Sequence, residues 1–288
     1  KRTNHVVEAD IRSFFDRLNW EWLMKFLRHR IGDERLLRLI TRMLKAGIME
    51  DGLVKASEKG APQGAIVSPV LSNIYLHYVL DLWFEKRIKP RARGDAYLFR
   101  FADDFLGVFR YKEDAEQFEM LLKERLEGFG LEIATEKTRR LEFGAYAVEN
   151  AKRKGEKRPT FTFLGFTHYC GSTRHGHFKV KRCTSMKKLR AKLHDYTEWI
   201  AKIRSHLTTR ELMLSAKRRI QGHLNYYAIT DNSKMCVLYH FWFTRITYKW
   251  LNRRSQKKSY NWNEFNQMLE KIKWPKVRIK VDLNPFSA

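Results

Sequence analysis

Runs of apolar residues broken by short polar stretches predict where the chain forms strands and turns. Tyr97–Phe109 contains two aromatic and aliphatic runs that flank an adjacent acidic pair, Asp103 and Asp104. Aromatic and branched residues favour strands, and Ala102 with the acidic pair is too short a segment for more than a tight turn. The pattern therefore predicts a β-hairpin that carries two carboxylates at its tip.

Other apolar residues recur with the spacing of helices and strands. Helices with one apolar face are predicted over 20–31, 34–46, 68–87, 113–127, 209–226 and 234–253, and a long basic helix is predicted from Thr184 onward. Strands are predicted over 5–11, 131–135, 161–168 with a bend at Gly165, and 277–281. Residues 48–59 are predicted to form a loop or irregular hairpin, and 150–159 a flexible basic loop.

A third carboxylate, Asp10, lies near the end of the first predicted strand. One carboxylate at a strand end and two on a hairpin tip are the parts from which two-metal phosphoryl-transfer sites are built. Oxygen ligands suit Mg²⁺, which completes its shell with water and substrate phosphates. For Asp103 and Asp104 alone, the alternative is an ordinary solvated acidic turn.

The formal net charge of +25 is concentrated in the second half of the chain. Residues 1–150 contain 26 Lys and Arg against 24 Asp and Glu, whereas residues 151–288 contain 31 against 8. Such asymmetry favours binding to a polyanion, because each phosphate contact releases counterions. A membrane surface is the alternative partner for a basic chain, but the many aromatic residues fit nucleic acid better, since bases stack on such rings.

Cysteine and histidine positions predict neither disulfides nor a structural zinc site. Cys170, Cys183 and Cys236 are far apart, and the chain has no Cys-x-x-Cys pair. The group formed by His168, Cys170, His175 and His177 matches no common zinc spacing, so a basic hairpin is the favoured interpretation. No apolar run is long enough to span a membrane. A reduced, cytoplasmic setting is expected, in a bacterial nucleoid-associated or ribonucleoprotein context.

The motifs together resemble reverse transcriptases, and more narrowly the proteins encoded by bacterial group II introns. They occur in the order Asp10 with Phe15, Gly60–Pro69, Phe101–Asp104, Lys137 and Phe163–Phe166. The resemblance implies an α+β fold with a right-hand polymerase palm of antiparallel sheet and helices. It places the palm at 1–183, an all-α basic thumb at 184–254 and a maturase-like tail at 255–288.

The same resemblance implies a catalytic role for several residues. Asp10, Asp103 and Asp104, with the backbone of Ile11, would bind two Mg²⁺ ions, with Mn²⁺ as the alternative. Lys137 would donate a proton to the leaving pyrophosphate.

The resemblance also implies substrate contacts for residues that match the substrate-binding positions of reverse transcriptases. Phe15 corresponds to the aromatic residue that excludes a 2′-hydroxyl, so deoxynucleotides would be preferred. The incoming nucleotide and templating pair would lie against Ile11, Phe15, Pro62, Gln63, Gly64, Phe101 and Ala102. Primer and template would contact Phe163, Leu164, Gly165, Phe166, Lys187, Lys188, Arg190, Arg218 and Arg219.

The expected partners are an RNA template, a DNA or RNA primer, deoxynucleotides and a structured intron RNA, with no membrane; the oligomeric state, a homodimer included, is left open. Asp10 follows only nine residues, so the fingers region of such polymerases is expected on another segment, in cis or in trans. The alternative is a maturase-type protein that clamps intron RNA and assists splicing, with polymerisation secondary or lost. The acidic triad distinguishes the two, because RNA binding alone has no use for three carboxylates that repel phosphate.

Overall fold

The computed structural model describes residues 3–45, 48–50, 53–55, 60–61, 66–254 and 259–283. The chain divides into two compact units, Lys1–Leu164 and Gly165–Ala288, which are described separately. The finer assignment of palm, thumb and tail to residue ranges stays a prediction.

The first unit mixes strands and helices. Its strands are β1 (His5–Ala9), β2 (Ile48–Glu50), β3 (Leu53–Lys55), β4 (Ala96–Phe101), β5 (Asp104–Phe109), β6 (Arg139–Glu142) and β7 (Thr160–Phe163). Its helices are α1 (Phe14–Arg17), α2 (Trp20–Arg28), α3 (Glu34–Lys45), α4 (Ser68–Leu76), α5 (Lys112–Glu127) and α6 (Ala147–Arg153). Beyond α4 the chain stays helical through wider π-helical turns at His77–Asp81 and Phe84–Ile88 and a tighter turn at Lys89–Arg91.

Four of these strands form an antiparallel sheet in the order β4-β5-β1-β6. The predicted hairpin is confirmed as β4 and β5, and strands β2 and β3 form a separate antiparallel pair. Within β5, Gly107 lies against the ring of Phe118 from α5, and an added Cβ would come 2.7 Å from that ring. Glycine at this position therefore lets an aromatic side chain pack directly on the central strands.

Helices α2, α3, α4 and α5 contribute apolar side chains to the core of the first unit. Helix α2 begins as predicted, because the Asn19 side chain accepts hydrogen bonds from the backbone of Glu21 and Trp22. Tyr75 and Phe84 are fully buried in this core. The α+β class is thereby confirmed.

Several predicted elements differ from the structure, and the strand predicted over 5–11 ends at Ala9. The helix predicted over 20–31 ends at Arg28. The strand predicted over 131–135 is wrong, since only Ile133 pairs, in an isolated bridge with Ile11. The loop predicted over 150–159 is partly wrong, because burial of Ala147 and Ala151, one helical turn apart, supports helix α6. Residues 277–281 form no strand; Val281 alone bridges to Ile229.

The second unit is a β-hairpin followed by helices. It contains β8 (Phe166–Ser172), β9 (Phe178–Thr184), α7 (Met186–Ile203), α8 (Thr209–Tyr227), α9 (Ser233–Leu251) and α10 (Trp262–Lys271). Strands β8 and β9 pair antiparallel and confirm the predicted basic hairpin. The strand predicted over 161–168 is interrupted rather than bent, because Leu164 and Gly165 both have positive φ angles. None of the helices in the described residues combines the length and apolar character that a membrane span requires.

The helices of the second unit follow the predicted apolar stripes. Leu189, Tyr196 and Ile200 of α7 are buried. Helix α8 starts at a reciprocal cap in which Thr208 and Glu211 bond to each other's backbone. The predicted long helices at 209–226 and 234–253 are confirmed with ends shifted by one or two residues.

One buried amide connects the hairpin of the second unit to its helices. Asn232, which is fully buried, lies between α8 and α9. Its side chain accepts a hydrogen bond from the Thr184 backbone at 2.7 Å and donates to the Thr184 hydroxyl at 2.8 Å and the Tyr227 carbonyl at 2.7 Å. Both the amide nitrogen and the carbonyl oxygen of this side chain are therefore engaged, and they join the end of β9, the end of α8 and the start of α9.

Replacing Asn232 with Ala is expected to destabilise the second unit by roughly 3 kcal/mol, because the Thr184 and Tyr227 backbone groups lose a buried partner. Hydrogen exchange measured by mass spectrometry over α8 and α9 reports the free energy of opening. The matched control is Ser233→Ala, at the exposed neighbouring position. Equal exchange in the two variants would show that the Asn232 hydrogen bonds contribute nothing.

Candidate active site

The antiparallel pairing of β1 with β5 brings the three acidic residues to one end of the sheet. Ala9 lies opposite Phe105 in this register, and Asp10 directly follows Ala9. Asp104 begins β5 directly before Phe105, so the same register continued by one residue sets Asp10 beside Asp104. Asp103 is the adjacent residue of the hairpin turn. Side chains on neighbouring strands in such a register are close enough to interact.

The hairpin turn itself is as tight as predicted. Phe101 pairs with Asp104, which leaves Ala102 and Asp103 as the two turn residues. Ala102 has a φ of 54°, a left-handed conformation that is uncommon for a residue with a side chain. The Phe101 side chain is 64% exposed. A backbone of this shape must be held by contacts outside the turn.

Arg100 holds this turn, and sequence reasoning missed it. Its guanidinium donates to both carboxylate oxygens of Asp81 at 2.7 and 2.6 Å. It also donates to the Asn73 side chain at 2.8 Å and to the Ala102 carbonyl at 3.0 Å. The Arg100 side chain is only 13% exposed. An arginine inside an apolar strand run was the available signal, because a buried arginine needs fixed partners.

Lys137 lies directly against Asp10. Its ammonium group forms an ion pair and hydrogen bond with the Asp10 carboxylate. The backbone supports this contact, since Ala134 donates to the Asp10 carbonyl at 2.8 Å and Lys137 to the Ala134 carbonyl at 3.0 Å. The hydrogen bond to Asp10 raises the pKa of Lys137, as do the charges of Asp10 and, to a smaller extent, Glu136 and Asp104. In this arrangement Lys137 keeps its proton, and its role as a proton donor stays a prediction.

Two arginines, Arg12 before α1 and Arg17 at its end, connect the Asp10 segment to the segment that carries Lys137. Arg12 contacts Glu132 at 2.7 Å and Glu136 at 2.8 Å, and Arg17 contacts Glu132 at 2.5 Å. These side chains are about half exposed, so each pair contributes little by itself. As a network they align the chain on both sides of the Asp10–Lys137 contact.

Phe15 lies in α1 and anchors the start of the Gly60–Pro69 motif. The backbone of Ala61 donates to the Phe15 carbonyl at 2.7 Å, and that of Gly60 to the Leu18 carbonyl at 2.8 Å. Gly60 has a φ of 87°, and an added Cβ would come 2.7 Å from the Phe15 carbonyl oxygen. Pro62, Gln63 and Gly64 lie outside the described residues. The motif thus begins at the turn that carries Phe15.

The side chains of Phe15 and Ile11 differ in accessibility. Phe15 is half-buried, with its ring centroid 5.5 Å from that of the buried Phe14. The Ile11 side chain is buried in the core, so only its backbone is available to a ligand. The expectation that the Ile11 backbone binds a metal ion stays a prediction.

The proposed primer-contacting residues fall into both units. Phe163 ends β7 and Leu164 follows it with a φ of 51°. Gly165 has a φ of 80°, and an added Cβ would lie 2.7 Å from the Tyr227 hydroxyl, while Phe166 packs on Tyr227 with ring centroids 5.1 Å apart. The basic side chains predicted to contact nucleic acid are all exposed on α7 and α8, at Lys187, Lys188, Arg190, Arg218 and Arg219.

Comparison with known proteins identifies the family. The model of the family described as reverse transcriptase (RNA-dependent DNA polymerase) matches residues 1–168. The chain therefore belongs to the reverse transcriptase family, and its first unit carries the polymerase fold of that family.

Curated relatives match shorter stretches. Protein YkfC of Escherichia coli is 38% identical over 96 residues, covering 33% of this chain and 25% of that protein. The group II intron-encoded protein LtrA of Lactococcus lactis is 41% identical over 97 residues, covering 30% of this chain and 16% of that protein. The matches thus span a quarter or less of these relatives. Among solved structures, telomerase from Candida tropicalis superposes with a TM-score of 0.48 at 13% identity, over 93% of this chain and 45% of that one.

Reverse transcriptases use divalent metal ions, and the donor chemistry of this chain fits them. Within the described residues no group of three or more His, Cys, Asp or Glu side chains is arranged around a metal position. However, the Lys137 ammonium contacts Asp10 and is also stabilised by the charge of Asp104. The Lys137 ammonium, itself a cation, is therefore held at the Asp10 carboxylate, and the β1–β5 register sets Asp10 beside Asp104. An all-oxygen set at such a place suits Mg²⁺.

Replacing Arg100 with Ala is expected to destabilise the β4–β5 hairpin by about 3 kcal/mol, because the Asp81 carboxylate loses both hydrogen bonds from the guanidinium and keeps, among the described residues, only the longer contact with His77. Hydrogen exchange over β4 and β5 measures this loss. Arg91→Ala, at an exposed arginine, is the control for loss of one positive charge. If both variants exchange alike, Arg100 does not hold the turn.

Proposed function

We propose that this chain carries the polymerase centre of an RNA-directed DNA polymerase of the group II intron type. It would extend a primer 3′-hydroxyl with deoxynucleotides on an RNA template. The observation that carries the proposal is the register of β1 and β5, which brings Asp10 to the hairpin tip that bears Asp103 and Asp104. Membership of the reverse transcriptase family and the intron-encoded relatives support it.

Asp10, Asp103 and Asp104, with the Ile11 carbonyl, are the residues that would hold two Mg²⁺ ions, or Mn²⁺ as the alternative. When bound, such a pair activates the attacking hydroxyl and neutralises charge on the leaving pyrophosphate. The chain's own contribution is to hold the carboxylates rigidly, through the sheet register and the Arg100 contacts. Lys137 supplies a positive charge beside Asp10 and would supply a proton to the pyrophosphate once the Asp10 contact is released.

Selection of the nucleotide would depend on Phe15. Its half-buried ring lies in the short helix that follows Asp10, at the anchor of the Gly60–Pro69 motif. A ring fixed in this way can exclude a 2′-hydroxyl without moving. Pro62, Gln63, Gly64, Phe101 and Ala102 would complete the surface around the incoming nucleotide and the templating pair.

Template and primer would be held by phosphate and 2′-hydroxyl contacts that need no particular sequence. The 163–166 turn would support the primer end. The phosphate backbone of the nucleic acid would be contacted by exposed basic side chains of α7 and α8, namely Lys187, Lys188, Arg190, Arg218 and Arg219. A structured intron RNA is a further proposed partner, and the setting would be a cytoplasmic ribonucleoprotein.

A maturase-type splicing factor is the second candidate. The observation that favours it is the excess of 31 basic over 8 acidic residues in 151–288, which suits binding to a large folded RNA. Retention of three carboxylates at one end of the sheet favours polymerisation as well, and the two activities are compatible.

Replacing Asp103 with Asn should lower primer extension about a thousandfold or more, because the lost charge is assigned to transition-state stabilisation. Extension of oligo-dT on poly-rA with Mg²⁺ is the assay, and RNA affinity measured by filter binding should stay unchanged. Asp195→Asn, at an exposed aspartate of α7, is the matched control. Activity of the Asp103 variant within tenfold of the control would overturn the assignment.

Replacing Phe15 with Val should admit ribonucleotides, because the smaller side chain leaves room for the 2′-hydroxyl. Use of deoxynucleotides should survive. The measurement is kcat/KM for a ribonucleotide relative to the matching deoxynucleotide in single-nucleotide extension. An unchanged ratio, with intact deoxynucleotide use, would show that Phe15 serves only the core.

A further inference from the structure

A second basic region of the first unit lies apart from the acidic residues. A cavity of about 640 Å³ lies along β6 and is lined by side chains from β6, the start of α5, and α6 with the segment that follows it. Its basic lining residues are Lys112, Arg139, Arg140, Lys154, Lys157 and Arg158. The acidic ones are Glu142 and Glu156. We call it the β6 basic cavity.

The β6 basic cavity extends away from the candidate active site. Strand β6 pairs with β1 from Glu8 opposite Arg139 to His5 opposite Glu142. Glu142 lies opposite His5, which precedes Asp10 by five residues. At about 3.4 Å per residue along β1, the Glu142 end of the cavity is therefore roughly 17 Å from Asp10. Strand β6 is also the edge strand of the four-stranded sheet, at the end of the order opposite to β4.

The walls of the cavity are ordered by specific contacts. Asn150 of α6 donates to the Glu142 carboxylate at 2.6 Å, which joins the helix to β6 and engages one of the two lining acids. The turn after α6 is closed by a hydrogen bond from the Glu156 backbone to the Ala151 carbonyl at 2.8 Å, with Gly155 at a φ of 69°. This turn presents Lys154 and Lys157 on either side of Gly155.

The basic side chains of the cavity differ in how they are neutralised. Arg139 pairs with Glu8 at 2.6 Å, and Arg140 contacts Glu116 at 3.0 Å. For Lys154 and Lys157, no ion pair is present within the described part of the chain, and both side chains are exposed. The wall that follows α6 therefore offers positive charge without a protein partner.

We propose that the β6 basic cavity binds the phosphodiester backbone of a nucleic acid outside the polymerase centre. Lys154 and Lys157, which have no acidic partner within the described residues, favour an anionic ligand, and the cavity runs along the edge strand β6. None of the described residues that line it is Phe, Tyr or Trp, so bases have no ring on which to stack. Lysines that act as flexible point charges suit phosphates regardless of sequence.

The ligand is a segment of RNA that the enzyme already holds, either template upstream of the reaction or a folded part of the same RNA. This choice follows from membership of a family of RNA-dependent polymerases and does not depend on the roles assigned to individual active-site residues. Single-stranded DNA shares the backbone chemistry and is the second source that the experiment must separate.

The test uses the full chain with Lys154→Ala and Lys157→Ala combined. Affinity for a labelled RNA of about 40 nucleotides is measured by fluorescence anisotropy between about 50 and 200 mM salt, and for DNA of the same sequence. Loss of two phosphate contacts should reduce the slope of log K against log salt by about 1.4 to 1.8 and weaken binding roughly 25- to 60-fold at about 0.1 M salt.

The matched control is the double variant Lys45→Ala with Lys123→Ala, which removes two exposed lysines of the same unit from outside the cavity. Crosslinking of RNA that contains 4-thiouridine should label residues 139–160 in the parent chain and not in the cavity variant. If the cavity variant lowers the slope of log K against log salt for RNA but not for DNA, RNA is the ligand. If the slope falls equally for DNA, the cavity binds any phosphodiester backbone. A slope equal to that of the control variant overturns the proposal, whatever the crosslinks show.

Discussion

The register between β1 and β5 is the constraint on which the candidate active site depends. Two strands distant in sequence must meet with Ala9 opposite Phe105 for Asp10 to arrive beside the hairpin tip. A slip of β1 by one residue would put the partly exposed Glu8 on the face where Val7 is fully buried, so burial of Val7 favours the observed register. The same apolar packing that stabilises the first unit therefore also positions its carboxylates.

Grouping like charges at one end of a sheet requires compensating cations, because neighbouring carboxylates repel one another. Lys137 provides one such cation beside Asp10. Arg100 acts differently, since its charge is satisfied by Asp81 and its remaining donor fixes the carbonyl of Ala102. One cation thus balances charge at the site while the other maintains the shape of the turn. Beyond the site, the β6 basic cavity shows that positive surface is not confined to the helices of the second unit.

Elements whose signals are local could be predicted from the sequence. The hairpin at 96–109 forms because two apolar runs flank a turn of two residues, and helix α2 begins where Asn19 caps it. The long helices α8 and α9 follow from apolar residues at helical spacing over many turns. Even the acidic residues of the site could be named, because their residue types and their places at strand ends are visible in the chain. For the hairpin and the helices the determining interactions join residues close in sequence.

What the tertiary structure decided involves partners far apart in the chain. The contact of Lys137 with Asp10 joins positions 127 residues apart, and no local pattern reports it. Arg100 looks like one charged residue in an apolar strand until the fold brings Asp81 to it. The end of helix α6, from Asn150 to Arg153, has the charge pattern of a loop, and only the burial of Ala147 and Ala151 makes it helical. Local periodicity determined most of the elements by itself, whereas their pairing, and with it the electrostatic environment of the acidic site, depends on burial that only the folded chain creates.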